Sequence, residues 1–392
     1  MDGAMSMRKS HQDDEVGSNK HSFKSVALVV GATGMVGSSL VDILPRPDTP
    51  GGPWKVYALS RRSPPPWSPA PSSSVTRVLV DLTDTAAVAK ALAPLADITH
   101  VFYVTWSPRA TEADNRETNS AMLRNVLSAV GPNLAHVCLQ TGTKHYIGPF
   151  DAVGEVTAPE QPYTEDAPRR SCPNFYYDQE DILFDEVSRR RLGGADVSWS
   201  VHRPSIINGV SPRSFVNNIS NLCVYAAICR KERATLRWPG SRSFWDGFCT
   251  ASDADLIAEQ QVWAAVDPVA KNQAFNCSNG DVFRWRQLWP VLAAHFGLEW
   301  TGYNGEENRF KLSEAMAGKE AVWAEIVEEN GLVEPRLFEL ANWDLFDLVF
   351  GSDWLLLDSM NKSKEHGFLG FRNTLKSFDT WISKMKAYKI VP

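Results

Sequence analysis

An α/β fold built on a doubly wound parallel sheet is the architecture this sequence predicts, and three observations carry it. The all-apolar run Val26-Ala27-Leu28-Val29-Val30 leads directly into the turn Gly31-Ala32-Thr33-Gly34-Met35-Val36-Gly37. Helical spacing of Val36, Leu40, Ile43 and Leu44 follows at once, and Pro45 stops it. Strand and helix patterns then alternate as far as Arg203, as a parallel sheet with both faces covered requires.

The elements follow in order. A second strand, Val56 to Leu59, ends at Ser60-Arg61-Arg62, and a third, Thr76 to Val80, ends at Asp81-Leu82. Between them, Ser63 to Ser74 is rich in Pro and Ser and reads as a surface loop or linker. A fourth strand is expected from Thr99 to Val104, a long helix from Glu112 to Val130 and a fifth strand from His136 to Gln140. A further helix opens at Asn174-Phe175-Tyr176-Tyr177-Asp178 and ends at Arg189-Arg190-Arg191 before Gly193-Gly194, with acids early and bases late as the helix dipole favours. Val197, Trp199 and Val201 alternate into a sixth strand ending at His202-Arg203-Pro204. Loops and helices dominate afterwards, with Ser252 to Val266 and Ala274 to Cys277 expected to return to the sheet.

Composition narrows the class. A chain of 392 residues with 43% hydrophobic content can bury a large core. Apolar runs such as Leu222 to Cys229 fall short of the roughly 20 residues a bilayer span needs. The net charge of -6 argues against nucleic acid or an anionic membrane as partner. Six cysteines without CxxC spacing read as buried thiols in a reducing compartment, and the expected location is cytoplasmic with no metal site. The first 24 residues include Asp13-Asp14-Glu15 and lack a hydrophobic segment, which predicts a disordered tail rather than a targeting signal.

The glycine turn between strand and helix is a dinucleotide loop, in which Gly31, Thr33, Gly34, Met35 and Val36 surround a pyrophosphate at a helix start. An NAD enzyme of this fold offers a carboxylate to the ribose after the second strand. Here Ser60, Arg61 and Arg62 stand there, and a guanidinium matches the 2'-phosphate of NADPH. Asp81 and Leu82 are placed for the adenine, with an ordinary helix cap as the alternative role of Asp81. The expected organisation is an NADP-binding Rossmann domain over residues 25–205, with 247–280 returning to it. A smaller, mostly helical substrate lobe spans 206–246 and 281–392.

Chemistry belongs at the carboxyl ends of the strands. Two segments qualify, Gln140-Thr141-Gly142-Thr143-Lys144-His145-Tyr146 and Asn174 to Asp181. With the glycine loop, Ser60-Arg61-Arg62, Val104-Thr105-Trp106, His202-Arg203-Pro204 and Asp358 to Phe368, they resemble the progesterone 5β-reductase and iridoid synthase-like family of plants. That family lies among the extended, atypical short-chain dehydrogenase/reductases.

The resemblance implies NADPH-dependent reduction of a C=C bond conjugated to a carbonyl, in steroid enones, small enones or monoterpene enals. The usual YxxxK pairing is broken here, because Glu180 follows Tyr176 by four residues and Asp181 follows Tyr177. In the family the lysine comes from the TGxKHY segment, which makes Lys144 and Tyr176 the catalytic pair. Tyr176 is expected to stabilise the enolate, and Lys144 to keep that phenol acidic and bind cofactor ribose. Further cofactor contacts fall at Thr105, Gln140, Thr141, Pro204 and Ile206. Candidate substrate contacts are Trp106, Tyr146, Phe150, Ser205, Leu345 and Phe346, with core packing as the alternative for the aromatics. Ser205 stands where the family often has glycine, and Leu345 where it tends to carry a bulkier aromatic, so steroid and small enal stay undecided. His145 is a candidate acid or a core histidine. Carbonyl reduction by the same pair and non-catalytic NADPH sensing are the competing functions, the partner is a small molecule, and a homodimer is admitted.

Overall fold

Strand β1 (Ser25–Val30) is buried at every position. Its side chains divide by parity, Val26, Leu28 and Val30 entering one apolar core and Ala27 and Val29 another. An all-apolar strand therefore forms because helices cover both faces of the sheet. The computed structural model describes residues 23–68, 72–152, 160–211, 216–333 and 337–392. The expected N-terminal tail lies, through residue 22, outside the described residues, as do 69–71 of the proline-rich loop.

Beside β1 stand β2 (Trp54–Ser60), β3 (Val75–Leu79), β4 (His100–Tyr103), β5 (His136–Gln140) and β6 (Ser198–Pro204), all in parallel. Two short strands, β7 (Ile206–Asn208) and β9 (Ala251–Asp253), pair with each other, and β8 (Leu236–Arg237) pairs with Trp300–Thr301. Strand β10 (Gln273–Cys277) then closes the main sheet against β6, in the order β10-β6-β5-β4-β1-β2-β3. The third strand begins and ends one residue earlier than the sequence predicts. Because the connections reverse direction at β1, whose neighbours are β2 and β4, a crevice opens at the carboxyl ends of these strands.

Helices α1 (Met35–Ile43), α2 (Thr85–Leu92), α3 (Glu112–Ala129), the single turn α4 (Lys144–Ile147) and α5 (Phe175–Leu192) connect the strands. Helix α3 packs on α5, whereas α1 packs on the later helix Ala254–Val266. That later helix begins at Asp253, which caps its own first turn and accepts a bond from Trp381 Nε1 at 2.9 Å. The chain's last helix, Thr374–Ala387, is thereby tied to the Rossmann layer.

None of the six cysteines is in a disulfide, and five are buried as expected. Cys172 is the exception, half-buried on the loop before α5. Among the described residues no helix is long and apolar enough to cross a membrane, and no cluster of metal-ligating side chains occurs.

The glycine turn is enforced sterically at two positions. Gly31 has φ +98°, which side chains other than glycine rarely adopt, and a Cβ there would lie 2.7 Å from that of Thr105. At Gly37 a Cβ would fall 2.0 Å from the Gly31 carbonyl oxygen. Gly37→Ala is therefore expected to push α1 off the loop, lowering stability by about 1–3 kcal/mol, read as an earlier midpoint in denaturant unfolding.

Candidate active site

A cavity of about 1180 Å³ runs from the glycine loop along the carboxyl ends of the strands into the C-terminal lobe. At one end Gly31, Thr33, Gly34, Met35 and Val36 line it. Helix α1 starts at Gly34 with no side-chain cap, which leaves its first amides facing this space. Thr105, Gln140, Thr141, Pro204 and Ile206 line the stretch beside it. The Thr141 hydroxyl is buried without a hydrogen-bond partner among the described residues.

The ribose end is built on the turn after β2. Ser60 is buried, and its hydroxyl donates to the Arg62 carbonyl at 2.7 Å, shaping a turn that leaves Arg61 and Arg62 exposed on the cavity wall. Asp81 accepts from the Thr83 amide at 2.9 Å and the Thr83 hydroxyl at 2.8 Å. Those bonds, with the Arg61 charge adding, hold its carboxyl below the usual range. Asp81 thus braces the turn after β3 while lining the cavity with Leu82, and the cap of α2 is Asp84 instead.

Lys144 and Tyr176 meet on the wall of this cavity although they come from different elements. Thr143 is anchored to the end of β6, donating to the Pro204 carbonyl from its amide and from its hydroxyl, each at 3.1 Å. Lys144 follows on α4 and is 7% exposed, so its ammonium needs compensation. It lies 4.4 Å from the Phe175 ring centroid, 4.8 Å from Phe150, 5.3 Å from Tyr176 and 5.6 Å from Trp106. The Glu112 carboxylate stands 3.9 Å away. Aromatic faces and one carboxylate together hold the cation in place of water.

Asn174 locks the geometry. Its side-chain oxygen accepts from the Tyr176 amide at 3.0 Å, capping α5, while its amide nitrogen donates to the Lys144 carbonyl at 2.8 Å. The Tyr177 hydroxyl adds a bond to the His145 carbonyl at 2.6 Å, and Glu112 accepts from the Phe175 amide at 2.6 Å. A Cβ on Gly142 would lie 3.4 Å from the Tyr176 hydroxyl and 3.3 Å from the Pro204 carbonyl oxygen. The phenol therefore sits against the strand ends.

Several expectations need correction. The Tyr176 phenol is not kept acidic by Lys144: burial, with the Glu112 charge beside it, pushes its pKa up, and the hydroxyl stays protonated. Tyr146 does not line the cavity. It is fully buried, stacks on Tyr163 at 5.0 Å and donates to Asn276 Oδ1 at 2.6 Å. Phe346 is likewise core, stacked on Phe350 at 3.9 Å, whereas Trp343, Asp344, Leu345 and Val349 of the same helix line the cavity. His145 is buried 3.4 Å from Glu180 Oε1, where burial favours its neutral form, and it stays off the cavity.

Trp106, Phe150, Ser205 and Leu345 do line the cavity, Trp106 stacking on Phe175 at 5.4 Å. Glu180 and Asp181, which occupy the positions a YxxxK lysine would take, are held in ion pairs instead. Glu180 meets Arg203 at 3.1 Å and Arg169 at 3.0 Å, and Asp181 meets Arg169 at 2.7 Å. Burial pushes the Glu180 carboxyl up, but His145, Arg203 and Arg169 outweigh it and hold the group down at about 2. Glu112 and Asn174 are the site residues that sequence reading misses. Glu112 looks like any first-turn acid, and Asn174 like any cap.

The chain matches the family model described as a PRISE-like Rossmann-fold domain over residues 27–392. It is 53% identical to a 3-oxo-Delta(4,5)-steroid 5-beta-reductase of Arabidopsis thaliana, covering 100% of this chain and 98% of that protein. It is 52% identical to an (S)-8-oxocitronellyl enol synthase of Camptotheca acuminata, covering 98% and 97%. Among solved structures, the Bordetella bronchiseptica enzyme WbmH in complex with NAD+ superposes with a TM-score of 0.61 at 14% identity, over 93% of this chain and 99% of that one. The UDP-glucose 4-epimerase of Thermotoga maritima gives 0.60 at 12% identity, over 92% and 99%. The structural likeness shows a shared fold, and the sequence likeness shows more: this chain belongs to the PRISE-like Rossmann-fold family.

Proposed function

We propose that the protein is an NADPH-dependent ene-reductase that saturates the C=C bond of an α,β-unsaturated carbonyl compound by 1,4-reduction. The observation that carries this reading is the Tyr176 phenol beside the caged Lys144 ammonium, on a cavity continuous with a dinucleotide loop. The relatives named above are, by their descriptions, a 3-oxo-Delta(4,5)-steroid 5-beta-reductase and an (S)-8-oxocitronellyl enol synthase, and reduction of a conjugated C=C bond fits this pair of residues.

NADPH, when bound, supplies the hydride that reaches the β-carbon. The residues present suit it: the Gly31 and Gly37 positions leave room only for backbone, the start of α1 is uncapped, and Thr141 has a spare buried hydroxyl. Arg61 and Arg62 favour the 2'-phosphate. Negative charge then develops on the substrate's carbonyl oxygen, several bonds from the carbon that gains hydride. Tyr176 donates a hydrogen bond to that oxygen, and Lys144 supplies positive charge within reach of the phenol ring. A donor carried on α5 and a lysine carried on α4 place this site away from the usual helix-borne pair, as a remote oxyanion requires. Trp106, Phe150, Ser205 and Leu345 form the walls for the substrate. Free cysteines support a reducing, cytoplasmic setting.

Replacing Tyr176 by Phe is expected to lower kcat about 10²–10³-fold, the range for losing one oxyanion donor, measured by NADPH consumption with enones and enals. Product analysis separates the reactions, since 1,4-reduction leaves a saturated carbonyl and carbonyl reduction an allylic alcohol. An allylic alcohol as the main product would overturn the reading. For the cofactor, Arg61→Ala with Arg62→Ala is expected to raise KM for NADPH about tenfold or more, from loss of about 1.5–3 kcal/mol of charge-assisted bonding, while KM for NADH changes little. Equal use of NADH by the unaltered enzyme would refute the role of the arginines.

A further inference from the structure

Behind the cavity wall lies a buried carboxyl that the reduction described above does not use. Asp358 is 6% exposed, and its Oδ1 has no hydrogen-bond partner among the described residues. Its Oδ2 lies 3.2 Å from the Thr250 hydroxyl oxygen. The same hydroxyl lies 3.3 Å from the Ser205 Oγ, and Ser205 lines the cavity directly after Pro204, the residue whose carbonyl flanks the Tyr176 hydroxyl across Gly142. Carboxyl, threonine and serine thus form an unbroken file of hydrogen-bond distances from the protein interior to the substrate space.

We infer that Asp358, Thr250 and Ser205 form a proton relay that protonates the substrate's α-carbon after hydride transfer, so that the product leaves as the saturated carbonyl compound. This rests on the reduction reading. In the step, the enolate's electron pair forms a C–H bond at the α-carbon and breaks the Ser205 O–H bond. The Ser205 oxygen takes the Thr250 proton, Thr250 takes the Asp358 proton, and the carboxylate recovers one from water between turnovers. One proton enters per NADPH oxidised, and two C–H bonds form per turnover, the β one from hydride and the α one from this proton. Ser205 is the catalytic member, and Thr250 and Asp358 act through it.

Burial sets the supply. It pushes the Asp358 carboxyl up to about 7, against the downward pull of the Thr250 and Ser205 hydroxyls and with the Glu165 charge adding to the rise. Tyr146, Tyr163, Cys249 and Cys277 also face Asp358, each itself held protonated by burial. Glu165 in turn faces Arg203 and Lys362. A protonated carboxyl near neutral pH is what a relay needs. Other roles for these hydroxyls are visible but compatible: Ser205 Oγ donates to the Thr250 carbonyl at 3.1 Å, and Thr250 also reaches the Leu356 carbonyl at 3.2 Å.

The test is reduction of a 3-oxo-Δ4,5-steroid by NADPH in D2O. NADPH absorbance reads hydride transfer, and NMR of the product reads which face of the α-carbon carries deuterium. The unaltered enzyme should deuterate one face. The product formed by Ser205→Ala and by Thr250→Val should lose that preference, because a released enolate is deuterated by solvent on both faces. Ser205→Thr, which restores a hydroxyl, should recover it. Single-faced deuteration by both Ser205→Ala and Thr250→Val overturns the relay and leaves the reduction intact. Failure of the unaltered enzyme to oxidise NADPH with this steroid and with an enal overturns the reduction and the relay together. Independently of turnover, the infrared carboxyl band lost in Asp358→Asn should titrate near pH 7 in the free protein, and a carboxyl already ionised at pH 5 refutes the proton supply.

Discussion

One amide side chain sets the distance on which the chemistry depends. Where tyrosine and lysine share a helix, one turn apart, the helix itself fixes their separation. Here they sit on α4 and α5, and Asn174 supplies the missing link by bonding the Lys144 carbonyl and the Tyr176 amide at once. Tyr177 and Glu112 repeat the connection at the next residues along. The freed positions, Glu180 and Asp181, join ion pairs that pin α5 to Arg169 and Arg203. The helix that lost the lysine thus gained fixed placement against the sheet.

Placing a cation inside a protein has a large desolvation cost unless something replaces water. For Lys144, among the described residues, the replacement comes from four rings and the Glu112 carboxylate. The division matters for Tyr176, which feels Glu112 as well as the ammonium. Its phenol is held neutral rather than poised to ionise, and a neutral phenol is a hydrogen-bond donor. On the proposed mechanism, charge arriving on a substrate oxygen meets this donor, with Lys144 nearby to offset it.

The framework was legible because its signals are periodic or steric. Parity along β1 and the spacing of Val36, Leu40 and Ile43 survive in the fold, and the glycines at 31 and 37 sit where a Cβ would strike backbone or Thr105. Position on the cavity was legible where a motif is local, as with Lys144 and Tyr176, which the resemblance brings together and which both line it. Legibility failed for single side chains whose direction depends on tertiary packing. Tyr146 follows Lys144 by two residues yet points into the core, and Phe346 differs from Leu345 by one helical step. Glu112 carries no local mark of its partnership with Lys144, because that contact joins residues distant in sequence.

Strand β10 lies beside β6 residue for residue, from Gln273 opposite Ser200 to Cys277 opposite Pro204. The chain between Pro204 and Gln273 is accordingly an excursion that leaves the sheet at the carboxyl end of β6 and rejoins it at the amino end of the neighbouring β10. Closing a longer loop adds only about 0.6 kcal/mol per doubling of its length. Natural variation can therefore enlarge, shorten or reshape that excursion, and with it one wall of the substrate space, at little thermodynamic penalty and without re-registering a strand or disturbing the tyrosine and lysine upstream. A single catalytic chassis can in this way diversify across hydrocarbon skeletons of very different bulk.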